Sequence, residues 1–221
     1  MKKTPLARLK EKERKSRQKL IVDAAERLFS TKPFPKVSMR DIADESGISL
    51  SSIYRYFPDQ ESLFLAALVR GAKKAENRIK QLVSRDKAAI GDIARAFVEF
   101  LIENDSYFRM MTHFMLDGVL NKDSVETLNR IERTLLDQFN DFFGTLNPRG
   151  SHRMISHAFF AALNGILITY RNYPGRDVED VHNHMIQLAS IMGQLFETAV
   201  CPENRNPVGK NSGKPHNDLY R

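Results

Sequence analysis

Apolar residues recur at intervals of three and four along nearly the whole chain, and strand-like alternation is scarce. That period predicts helices. Leu20, Ile21, Ala24, Ala25, Leu28 and Phe29 form one stripe, so a first helix is expected from about residue 12 to 30, ended by Pro33 and Pro35. Ser38 with Asp41 three residues on has the capping-box pattern and opens a second helix, with Met39, Ile42 and Ala43 facing inward. Gly47 can take the left-handed conformation of a tight turn. Ser49 then caps a third helix, anchored by Ile48 and Ile53 and stopped by Pro58. Asp59 caps a fourth, whose stripe starts with Leu63, Phe64, Ala67 and Leu68. Further helices are expected at about 90–103, 107–116, 124–146, 152–173 and 178–200, punctuated by Gly91, Asp105, residues 118–121, residues 147–150 and Pro174-Gly175. The fold class is all-α: a three-helix head with a basic arm over 1–70, a helical body over 71–200, and a disordered tail over 201–221.

The net charge of +7 sharpens this picture by its placement. Lys2, Lys3, Arg8, Lys10, Lys12, Arg14, Lys15, Arg17 and Lys19 face only Glu11 and Glu13, so the first twenty residues hold the excess. Such an arm suits a phosphate backbone. It also reads as a solvated segment in which Glu11/Lys15 and Glu13/Arg17 are helix-spaced pairs. One cysteine, Cys201, allows no internal disulfide. With no signal-like apolar run and no membrane-length apolar stretch, a cytoplasmic protein is expected.

The segment from Val37 to Phe57 carries the most chemistry. Two short helices joined at a glycine turn make a helix-turn-helix, which places its second helix in the DNA major groove. The outer side of that helix offers Ser51, Ser52 and Arg55, with Ser49, Leu50 and Tyr54 beside them. Arg55 can pair bidentately with guanine. Tyr54 and Tyr56 can donate to phosphates, and Arg40 with the capped helix starts adds more such contacts. Tyr56 packing against the first helix is the plainer alternative.

Ala24-Ala25-Glu-Arg-Leu28-Phe29, Val37-Ser-Met-Arg-Asp-Ile-Ala43, Gly47-Ile-Ser49, Ile53-Tyr54-Arg55-Tyr56-Phe57 and Glu61-Ser-Leu63-Phe64 stand in one order. Over about residues 20–68 the chain thereby resembles the N-terminal head of the tetracycline-repressor (TetR) family of bacterial regulators. The resemblance implies an all-helical homodimer with one recognition helix per subunit and a body that binds a small effector. Two positions depart from the pattern. Leu50 stands where such heads often carry a lysine or another polar residue, and could touch a thymine methyl instead. Gln60 stands where a lysine often meets phosphate.

The body is rich in Phe and Met. Phe97, Leu101, Met110, Met111, Phe114, Phe139, Phe143 and Phe160 lie at helical spacing, and most would serve as ordinary core. A chamber lined by them would favour a lipophilic effector, since methionine packs adaptably. Asn164, Tyr107, Arg109 and His113 are candidates to orient its polar end. The last two helices are the expected dimer surface, through Ala158, Ala161, Ala162, Gly165, Ile166 and Ile168 on one and Met185, Leu188, Ala189, Met192, Leu195 and Phe196 on the other. Burial within one subunit is the alternative.

No metal site or cofactor is expected. His182 and His184 point to different sides of a helix, and His152 and His157 are five apart. GxGxxG, Walker, GxSxG and HExxH motifs are absent, which argues against an enzyme. The expected function is a dimeric, ligand-responsive transcriptional repressor on a palindromic double-stranded DNA operator. A helical lipid- or ligand-binding module without DNA function is the alternative, and a small all-helical enzyme a third.

Overall fold

The computed structural model describes residues 4–83, 89–117, 122–146 and 151–200. Among these residues there are nine α-helices, one 3-10 turn and no strand, as the apolar period requires. The head begins with α1 (Pro5–Thr31), seven residues earlier than its apolar stripe indicates. The cause is local. Thr4 Oγ1 accepts from Ala7 N at 3.4 Å and Pro5 fills the first helical position, where its missing N–H costs nothing. The pairs Glu11–Lys15 (3.7 Å) and Glu13–Arg17 (2.8 Å) then support a stretch that is polar all round. The arm is therefore a rigid extension of the first helix.

After a 3-10 turn over Phe34–Lys36 comes α2 (Met39–Ser46) with a full capping box. Asp41 N donates to Ser38 Oγ at 3.1 Å, and Ser38 N donates to the Asp41 carboxylate at 2.8 Å. The Ser38 hydroxyl also donates to that carboxylate at 2.6 Å, and this bond foremost, then the Ser38 N–H bond and Lys32 nearby, hold the Asp41 carboxyl below its ordinary value against the opposing effect of desolvation. Gly47 closes α2 at φ 66°, with no atom near its missing Cβ. The need for glycine there is purely one of backbone conformation. The recognition helix, α3 (Leu50–Tyr54), is shorter than the sequence suggests, and Arg55 and Tyr56 continue it as a turn before Pro58. The fourth helix, α4 (Gln60–Val83), starts where Ser62 N donates to Asp59 Oδ1 at 2.7 Å. Ile21, Ala24, Ala25, Ile42, Ile53, Leu63 and Phe64, each at most 1% exposed, lock the head.

The body comprises α5 (Ile90–Glu103), α6 (Asp105–Asp117), α7 (Lys122–Thr145), α8 (His152–Tyr170) and α9 (Val178–Val200). The eighth helix stops three residues before the predicted end, because Pro174 turns the preceding chain out of helical geometry and Gly175 follows at φ 76°. Its core is a set of tilted and edge-to-face rings. Phe139 and Phe159 are 5.5 Å apart, Phe143 and Phe159 5.3 Å, and Phe159 and Phe196 5.1 Å. Helix α9 lies on α5 with Gly193 against Gly91, where a Cβ on Gly193 would sit 2.8 Å from the Gly91 nitrogen.

No break marks position 70, because α4 runs through it. Arg70 grips two acids of α1, with Nη1 to Asp23 at 2.6 Å and Nη2 to Glu26 at 2.7 Å. One residue on, Gly71 lets the buried Tyr107 ring of α6 lie against the α4 backbone. The predicted punctuation at 118–121 and 147–150, the tail after residue 200, Cys201 and residues 1–3 of the arm lie outside the described residues.

Candidate nucleic-acid interface

Ile53 and Phe57 face inward from the recognition helix, which turns Ser49, Ser51, Tyr54 and Arg55 outward. Ser49 occupies the N-cap position but makes no cap bond; its hydroxyl donates to Ser52 Oγ at 2.8 Å instead. Leu50 and Tyr56 are half-buried against the head core. Ser52 is likewise half-buried, and Arg40 on α2 is exposed. Gln60, a candidate phosphate contact, is half-buried at the start of α4. Its amide nitrogen donates to the carbonyls of Phe34 (2.8 Å) and Val37, so the side chain ties the 3-10 turn to α4.

Sequence spacing alone left one association unseen. Lys10, Arg14 and Arg17 of α1 stand across an open notch of about 490 Å³ from Ser52, Arg55 and Tyr56. The one acid there, Glu13, is paired with Arg17 at 2.8 Å. Cations from two helices thus converge beside the exposed serines, an arrangement that attracts polyanions. The signal that could have placed them is Thr4-Pro5, which starts the helix early enough to make the arm rigid.

The expected effector residues do not form one chamber. Phe97, Phe139 and Phe143 are closed into the ring cluster, and Leu101 is likewise core. Met111, Phe114 and Phe160 meet Leu68, Tyr107 and Leu128 around a crevice of only about 30 Å³. Met110 lines a different and larger cavity of about 250 Å³ between head and body. Asn164 is 6% exposed; its Nδ2 donates to Phe160 O at 2.8 Å, and its Oδ1 has no hydrogen-bond partner among the described residues. On the expected dimer helices, Ile166, Met185 and Ala189 are buried within the subunit. Ala158, Ala161 and Ile168 on α8 and Leu195 on α9 face solvent, and so do Met154 and Ile191.

An all-helical molecule whose head exposes a cation-flanked recognition helix belongs to the helix-turn-helix class of DNA-binding regulators. Residues 21–67 of this chain match the bacterial regulatory proteins of the tetR family. The fold agrees over most of its length. A tetR-family transcriptional regulator from Streptomyces coelicolor superposes with TM-score 0.64 at 16% identity, covering 83% of each chain. The fatty acid degradation regulator FadR from Bacillus halodurans gives 0.61 at 14%, covering 78% of this chain and 97% of that one. A regulator from Saccharomonospora viridis, solved in complex with choline, gives 0.63 at 19%, covering 77% and 93%. Among the described residues no helix is long and apolar enough to cross a membrane.

Proposed function

We propose that the protein is a cytoplasmic homodimeric repressor that binds a palindromic operator and is released by a small lipophilic effector. The observation that carries this reading is the outward face of the recognition helix beside the α1 cations. In this reading Arg55 reads a guanine, and Ser49, Ser51 and Ser52 touch base edges or phosphate. Tyr54, Tyr56 and Arg40 position the helix on the backbone. Lys10, Arg14 and Arg17 add sequence-independent attraction. The head ends near residue 70, and residues 71–200 serve dimerisation and effector binding.

The exposed apolar stripes of α8 and α9 supply the dimer face, and two such helices from each subunit form a four-helix contact. The effector enters the crevice at Met111, Phe114 and Phe160. Because Leu68 of α4 lines that crevice, an occupant pushes on the helix that carries the head. That displacement respaces the two recognition helices. Support for a ligand-responsive body comes from the choline complex of one structural neighbour, and for a lipophilic ligand from the Met- and Phe-rich lining.

The test is selection of bound genomic fragments, followed by anisotropy titration of a selected duplex and a scrambled one. A specific site should bind about a thousandfold or more tighter than the scramble at physiological salt. Equal affinity for both at every ionic strength would remove the regulatory reading.

A further inference from the structure

An apolar-floored cavity lies where the head meets the body. Phe29, Phe34 and Phe64 make its floor, with ring centroids 4.6 to 5.8 Å apart. The α6 side brings Arg109 and His113 to it, the His113 ring lying 5.3 Å from that of Phe34. Lys32, just past the end of α1, closes the other side. Its described lining residues include two fixed cations and no acid.

Both cations have pairings that yield easily. Lys32 is 3.9 Å from Asp41, a carboxylate already engaged by both Ser38 groups. Arg109 is 2.8 Å from Asp105, which also pairs with Arg171. If Arg109 swings away, Asp105 keeps a cation. Surface pairs of this kind contribute little, so exchanging one for a ligand's carboxylate costs little. The floor, in contrast, is apolar, with Phe34 as its half-buried ring and the buried Phe29 and Phe64 packed against it. The volume of about 250 Å³ holds roughly a dozen non-hydrogen atoms at protein packing density.

We propose that this junction cleft binds a small aromatic carboxylate, its ring on the apolar floor around Phe34 and its anion between Lys32 and Arg109. The site is separate from the crevice at Phe114, and it stands whether or not the molecule binds an operator. An occupant would touch α1, the 3-10 turn and α6 together, and so would brace the head against the body.

The test is titration of the free full-length protein with 1-naphthoate, read by its own fluorescence, because the chain contains no tryptophan. Neutral 1-naphthamide serves as the uncharged comparison. One saturable site per chain is expected. Lys32→Gln with Arg109→Gln should weaken naphthoate by about tenfold or more and leave naphthamide unchanged. Both positions are about half-exposed, so the fold should persist, and an unaltered melting curve confirms that. Phe114→Ala should leave naphthoate binding as it was. Unsaturable binding, an indifferent double variant, or loss of binding in Phe114→Ala would each overturn the proposal, the last by moving the ligand into the body crevice.

Discussion

Replacing Gly71 by alanine tests how head and body are joined. A Cβ there would lie 2.8 Å from Tyr107 Cγ and 3.0 Å from Tyr107 Cβ, with Cδ2 nearer still. Carbon atoms need about 3.5–4.0 Å, so α4 and α6 must separate. Tyr107 is only 3% exposed and borders no more than the crevice of about 30 Å³, so it has little space to retreat into. Overpacking of this kind costs about 1–3 kcal/mol. Alanine returns about 1 kcal/mol through its better helix propensity. The net is a loss of up to about 2 kcal/mol, or a fall in Tm of about 2–4 °C per kcal/mol for a chain of this size. Gly144, on α7, is the internal control, since nothing lies within 4 Å of its missing Cβ. Gly144→Ala should therefore raise Tm while Gly71→Ala lowers it. Truncating the ring with Tyr107→Ala should make Gly71→Ala much less harmful, a coupling that a double-mutant cycle reads directly. If Gly71→Ala and Gly144→Ala shift Tm alike, the close approach of α4 and α6 is not real.

Four further outcomes can be checked. Arg55→Ala should cost about 1–3 kcal/mol and relax preference at one base pair, whereas uniform weakening on all sequences would make Arg55 a phosphate contact. Replacing Lys10, Arg14 and Arg17 by glutamine should flatten the plot of log affinity against log salt by about 0.9 per lost phosphate contact, and an unchanged slope would leave α1 off the DNA. Ala161→Glu, on the exposed stripe of α8, should give monomers in sedimentation, and a persisting dimer would place the interface elsewhere. Asp41 has a folded pKa below its ordinary 3.8, so its contribution to head stability is complete above that value and fades as pH falls through the lower one. Asp41→Asn should remove this portion of the acid dependence in a pH series of melting curves.

What the chain reveals before folding depends on whether the deciding force is local. Caps and turns are local, so Ser38, Gly47 and Asp59 could be assigned from their neighbours alone, and helices α5 and α9 have their predicted ends. The start of α1 escaped the apolar period because residues 5–12 have no buried side to mark it. Inwardness is legible, but what it faces is not. Phe139 and Phe143 share the period of Met111 and Phe114, yet the first two are sealed by neighbouring rings and the last two border a gap. The same limit turned Ile166, Met185 and Ala189 into subunit core, because a helix covered on one side by α5 still has a second apolar stripe to spare. The junction cleft needed three separated segments to meet, and nothing in any one of them announces it.

Three contacts of helix α4 fall within four consecutive residues. Leu68 lines the body crevice, Arg70 holds two acids of α1, and Gly71 receives the ring from α6. Leu68 and Gly71 are three apart and hence on neighbouring parts of one face, while Arg70 points toward α1. An object wedged at Leu68 therefore presses on a helix pinned half a turn later by a bidentate ion pair. The pin makes α1 move with α4, and α1 carries the cations that stand across from Arg55. Recognition helix and basic rod consequently shift as one body, and a small rotation at the crevice displaces both sets of proposed DNA contacts together. Arg70→Met separates the two roles: it should leave the head folded around Ile42 and Ile53 but loosen its tie to α4. In that variant an effector would still bind with near-normal affinity, yet its effect on DNA affinity would shrink, and full retention of the coupling would show that the signal travels by another route.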